Sequence, residues 1–149
     1  MAPQILISLL TLIVLFSTYK SINDYKKGIT LALSFSILMA WFDSYNLSTF
    51  GVLLFIITSL FIIYKGFVIK ELNIIEKITF IGLGLFSGSG LLFSLMHWPL
   101  SSFISISMVI PIISYLYTSL KTQLKFNKKY LFLTILVLDC VLRFLRLFY

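Results

Sequence analysis

The segment YLFLTILVLDCVLRFLRLFY, residues 130–149, carries three charges in an otherwise apolar run: Asp139, Arg143 four residues on, and Arg146 three more. Steps of three and four residues return to one face of a helix, so all three side chains project together. Charges inside a bilayer are expensive and turn toward protein interior or water. Three kinds of chemistry are open to such a cluster. It can be a structural ion pair whose arginines snorkel to the outer surface, a proton or ion relay, or a charged seam that recognises another transmembrane subunit.

The remaining reactive groups are few. The chain has one histidine, His97, and one cysteine, Cys140, so it lacks the paired ligands of a metal site and any disulfide. It also lacks a phosphate-cradling glycine loop. A catalyst would have to use His97 or Asp139 with no second group placed beside it by sequence. The expectation is a non-enzymatic chain with no metal and no cofactor. Cys140 lies inside an apolar segment and reads as a small packing residue. The acids other than Asp139 (Asp24, Asp43, Glu71 and Glu76) fall in or beside connections, where water reaches them.

The elements that must position Asp139 are set by composition. Of 149 residues, 60% are hydrophobic and only 11% charged, with a mean hydropathy of +1.06. A soluble domain is roughly 25% charged, so this is an integral membrane protein of one domain, spanning residues 1–149, whose principal partner is the lipid bilayer. Six apolar segments follow one another at about 3–19, 28–42, 47–64, 78–96, 100–120 and 130–148. Every backbone donor in lipid needs an internal partner, and no strand-like alternation occurs, so the expected fold is an all-α polytopic transmembrane bundle. A hydrocarbon core about 30 Å thick needs roughly 17–25 helical residues. The second segment is short by that measure, and five spans with a re-entrant second segment is the alternative. The N-terminal run has neither a basic leader nor a clear cleavage site and reads as a retained helix.

The lysines divide cleanly. Lys20, Lys26 and Lys27 fall in the first connection, Lys65, Lys70 and Lys77 flank the third, and Lys121, Lys125, Lys128 and Lys129 fill the fifth. With six spans all of them share one side, which the positive-inside rule assigns to the cytoplasm or an organelle matrix. Both termini then face outward. The net charge of +7 is that of a basic inner face against anionic lipid headgroups and calls for no nucleic acid. In the fourth segment, GLGLFSGSG places Gly82, Gly84, Gly88 and Gly90 where a neighbouring helix can approach closely.

The fourth connection, LFSLMHWPLSS, sets His97, Trp98 and Pro99 at an outer turn. Trp98 suits the interface, His97 stays hydrated, and Pro99 suits the first turn of a descending helix, so a tight helical hairpin accounts for all three. Residues 81–120 also resemble the transmembrane hairpin of the GldL family, the inner-membrane motor proteins of Bacteroidetes gliding motility and type 9 secretion. The likeness rests on Leu92, Phe93, Met96, His97, Trp98 and Pro99. It implies a bacterial inner-membrane protein that packs beside partner helices. The chain departs from the family where it has Ser94 in place of a lysine and Leu100 in place of a glycine. No acid lies between Glu76 and Asp139, so Ile112 and its neighbours stand where the family's descending helix carries a glutamate. The motor function is therefore not carried over. Abundant Phe, Ile, Leu, Lys and Tyr also fit an AT-rich genome, which keeps an organelle inner membrane open as the alternative location. Two functions are expected from this reading. One is a non-catalytic subunit or accessory of a membrane complex, with other transmembrane subunits or further copies as partners. The other is an ion or small-solute channel or transporter with Asp139, Arg143 and Arg146 along its path.

Overall fold

The computed structural model describes residues 11–14, 16–17, 24–39, 45–96, 101–122, 125–145 and 148. Arg146, the His97-Trp98-Pro99 turn and both termini lie outside them. The described elements are all helical: α1 Asp24–Met39, α2 Tyr45–Val68, α3 Ile74–Leu95, α4 Ser101–Ser107, α5 Val109–Lys121, α6 Lys125–Lys129 and α7 Leu133–Leu145. Further helical residues stand at 11–14 and 16–17. Three stretches, Asn46–Val68, Ile74–Phe93 and Ser102–Lys121, are long and apolar enough to cross a membrane. The result is an all-α bundle of the polytopic membrane kind.

Large apolar side chains stand outward, with Leu120 76% and Phe103 68% exposed. Many buried positions are small hydroxyl residues, among them Thr30, Thr58, Thr79, Ser87 and Thr118. A surface so apolar would aggregate in water and suits lipid. Four of these hydroxyls are satisfied locally: Thr30, Thr58, Thr79 and Thr118 each donate to the carbonyl four residues back, at 2.7–2.9 Å. Thr79 Oγ1 also lies 3.2 Å from Thr118 Oγ1, joining α3 to α5.

Helix α3 is the centre. It packs against α2, α4, α5 and α7, while α1 packs on α2. Its span is 39% buried, against 28% for each of the other two. Its start is marked by Asn73, whose backbone N–H donates to the Glu76 carboxylate at 2.8 Å, as an N-terminal cap requires. Small residues then carry it through the bundle. A Cβ built on Gly84 would lie 2.7 Å from Ile63 Cγ1 and 2.9 Å from the Ser59 carbonyl oxygen of α2. At Gly88 it would lie 3.2 Å from Ser59 Cβ, and at Gly90 it would run into Met108 Cε. Gly82 differs, since its Cβ would meet Pro111 Cβ at an ordinary 3.4 Å.

Two elements depart from the expected segments for identifiable reasons. The fifth segment, expected over about 100–120, forms one membrane-length stretch, Ser102–Lys121, with a local interruption at Met108 between α4 and α5. Pro111 has no N–H to offer the Ser107 carbonyl and its ring crowds that carbonyl, which breaks the ladder there. Bonds from Met108 N to the Ile104 carbonyl (3.1 Å) and from Ile112 N to the Met108 carbonyl (3.3 Å) carry the chain across. The fifth connection, expected as a lysine-bearing loop, contains the short helix α6. Phe126 and Tyr130 draw it inward: both are buried, and their rings meet Phe80 edge-on at 6.1 and 4.9 Å. Phe80 itself needs Gly66, where a Cβ would lie 2.9 Å from Phe80 Cβ.

Candidate functional site

Asp139 and Arg143 face inward from α7, one turn apart. The Arg143 Nε–H donates to both carboxylate oxygens of Asp139, at 3.1 Å to Oδ1 and 2.9 Å to Oδ2. The Arg143 side chain is only 12% exposed and that of Asp139 14%. Opposite stands Ser87 of α3, whose hydroxyl donates to Asp139 Oδ2 at 2.6 Å. Unlike the threonines that bond back to their own helices, Ser87 spends its proton across the interface. Ser87 lies about 20 Å along α3 at 1.5 Å per residue, on a helix about 33 Å long, so the pair sits well inside the span.

Gly90, one turn beyond Ser87 on α3, lies beside the arginine and makes room for Met108. A Cβ there would lie 3.5 Å from Arg143 Cδ as well as striking Met108. The fully buried Leu136 and Cys140 flank the pair on α7. Largely shielded from water, the charge-assisted pair joins successive turns of α7, and the Ser87 hydrogen bond to the ionised Asp139 is what crosses from α3. A relay would require further groups leading from the carboxylate to water on each side. Among the described residues, Asp139 accepts hydrogen bonds from Arg143 and Ser87. No group of three His, Cys, Asp or Glu side chains that could hold a metal occurs among them.

Of the sequence-derived residues, the structure brings together Asp139, Arg143 and Gly90. Gly84 and Gly88 serve a different interface, the one with α2. Arg146, His97, Trp98 and Pro99 lie outside the described residues. Ser87 was not anticipated. Its only signal is its place among the glycines of SGSG, and nothing local relates it to an acid more than fifty residues away.

A second polar region lies at the end of the bundle where the first, third and fifth connections meet. Lys26 Nζ stands 4.9 Å from the Tyr130 ring centroid, Lys65 Nζ 5.1 Å from that of Tyr25, and Lys129 Nζ 3.0 Å from Glu71 Oε2. Here an open cleft of about 470 Å³ is lined by Glu71, Asn73, Glu76, Lys121, Lys125 and Lys129, among others. The Lys129 hydrogen bond holds the Glu71 carboxyl below its usual range, and the same bond raises the Lys129 ammonium. Burial, then the positive charge of Lys129, lowers Lys26. The Glu71–Lys129 pair is largely exposed, so water screens it and it contributes little to stability.

No protein-family model, curated protein or solved structure matches the chain.

Proposed function

We propose that this chain is a small integral inner-membrane protein that acts as a non-catalytic subunit or accessory of a membrane complex, with its lysine-rich end at the cytoplasmic face. The observation that carries this reading is the Asp139–Arg143–Ser87 cluster. Asp139 accepts from Arg143 Nε within α7 and from the Ser87 hydroxyl of α3, so the charge is answered inside the bundle and helps hold α7 against α3. The apolar exterior supplies wide faces for lipid and for neighbouring helices. The resemblance of residues 81–120 to the GldL hairpin supports the same placement without supplying a motor. The second reading, a channel or transporter, is favoured by one observation: a charged pair lies deep within the span, where such residues often mark transport paths.

Extraction of the full chain in mild detergent followed by native mass measurement separates the two. A stable complex with other polypeptides is expected. A homo-oligomer that passes ions when reconstituted in liposomes would overturn the subunit reading.

The orientation has its own test. Lys26, Lys65 and Lys129 meet at one end, which supports an even number of crossings between these connections. Lys27→Cys, Lys70→Cys and Lys125→Cys are each expected to resist a membrane-impermeant thiol reagent in intact cells and to react in inverted vesicles. Cys140 is fully buried and gives a silent background. Labelling of any of the three from outside would exclude the proposed topology.

A further inference from the structure

Helices α1 and α2 do not close on each other along their whole length. Gly28 and Ala32, one turn apart on α1, face Leu54, Ile57, Thr58 and Phe61 on α2 across an open groove of about 390 Å³. The groove is open at Gly28, where a Cβ would have nothing within 4 Å. Its lining is almost wholly apolar, and it runs about 10 Å along α1 from Tyr25 to Ala32, at 1.5 Å per residue.

One end of this groove is charged. Tyr25 closes it, and two ammonium groups stand over the Tyr25 ring: Lys65 Nζ at 5.1 Å and Lys26 Nζ at 5.9 Å from its centroid. Lys65 lies one turn beyond Phe61, and its Nζ is 5.2 Å from that ring too. The nearby acid, Glu71, is engaged by Lys129. An apolar slot opening onto lipid, with cations at the level where a helical span leaves the hydrocarbon, has the shape and charge of an amphiphile. The apolar flank of a partner helix would leave the cations unanswered.

We infer that the α1–α2 groove holds one acyl chain of an anionic phospholipid, with the lipid phosphate against Lys65. This rests on the placement of the bundle in a membrane and is independent of the subunit role. Gly28 leaves the groove open, and Lys65 supplies the preference for an anionic headgroup, since a basic residue near an anionic surface adds electrostatic attraction.

The test uses the full chain and two probes with identical acyl chains, phosphatidylglycerol and phosphatidylethanolamine, followed by native mass spectrometry. One phosphatidylglycerol is expected to be retained in preference to phosphatidylethanolamine. Lys65→Ala should lower its retention about fivefold, the effect of one basic contact, and leave phosphatidylethanolamine unchanged. Gly28→Leu, which has open space to occupy, should lower retention of both lipids about tenfold by filling the groove. An unchanged thermal melt shows that this variant folds. Equal retention of phosphatidylglycerol by the parent chain and both variants would overturn the inference. So would a photo-crosslinking residue at position 57 that captures a polypeptide instead of lipid.

Discussion

Asp139→Asn and Arg143→Leu are each expected to destabilise the bundle severely, while the double change Asp139→Leu with Arg143→Leu recovers most of the loss. Each single change leaves a buried polar group facing a partner that no longer answers it. Breaking a buried pair in this way costs about 3–5 kcal/mol, and a lone charge at mid-depth in a bilayer costs about 2.5–3.5 kcal/mol on the insertion scale. The double change removes both charges and leaves only Ser87 to be satisfied. Its hydroxyl can turn to the carbonyl four residues back, as buried Thr79 and Thr118 do. Thermal melts in detergent and the yield of assembled protein measure the effect. A double variant as unstable as the worse single variant would show that the pair does more than answer its own charges. A double variant that assembles normally but abolishes ion flux would move the channel reading ahead of the scaffold.

The second large effect concerns a single methyl group. Gly84→Ala should destabilise by about 1–3 kcal/mol, the usual cost of overpacking. The new Cβ would press on the Ser59 backbone oxygen at 2.9 Å and on Ile63 Cγ1 at 2.7 Å, and backbone cannot yield as a side-chain tip can. Gly82→Ala makes the same chemical change two residues earlier and should be neutral or stabilising by up to about 1 kcal/mol, because alanine is the better helix former. Its Cβ meets Pro111 at ordinary contact distance. Urea or thermal unfolding of the two variants gives the comparison directly. Equal stability of the two would mean that α2 and α3 are not in tight contact at Gly84.

The Gly82–Gly84 contrast also marks what sequence and structure each decide. From the sequence, the run of apolar segments establishes a membrane helical bundle, because hydropathy reports on the solvent and does not depend on neighbours. The grouping of Lys26, Lys65 and Lys129 at one end follows in the same way from counting crossings. The Asp139–Arg143 pair is legible because four residues make one helical turn, so its geometry is local. Pro111 acts just as locally, through its missing N–H, but the interruption it makes at Met108 is one that the apolarity of the segment does not signal.

What the sequence left open is how each helix is turned about its axis. A helix apolar on all sides carries no stripe to mark its inner face, and lipid tails are as apolar as the leucines of a neighbour, so no hydrophobic difference selects one rotation. Packing of small residues against particular partners selects it instead. That packing brings Ser87 to Asp139 and places Gly84, but not Gly82, against the α2 backbone. It also draws Phe126 and Tyr130 in against Phe80, making a short helix of residues that read as a polar loop. The open side of Gly28 was fixed by the same means: a glycine without a neighbour looks, in sequence, the same as one in tight contact, and only the approach of another helix tells them apart.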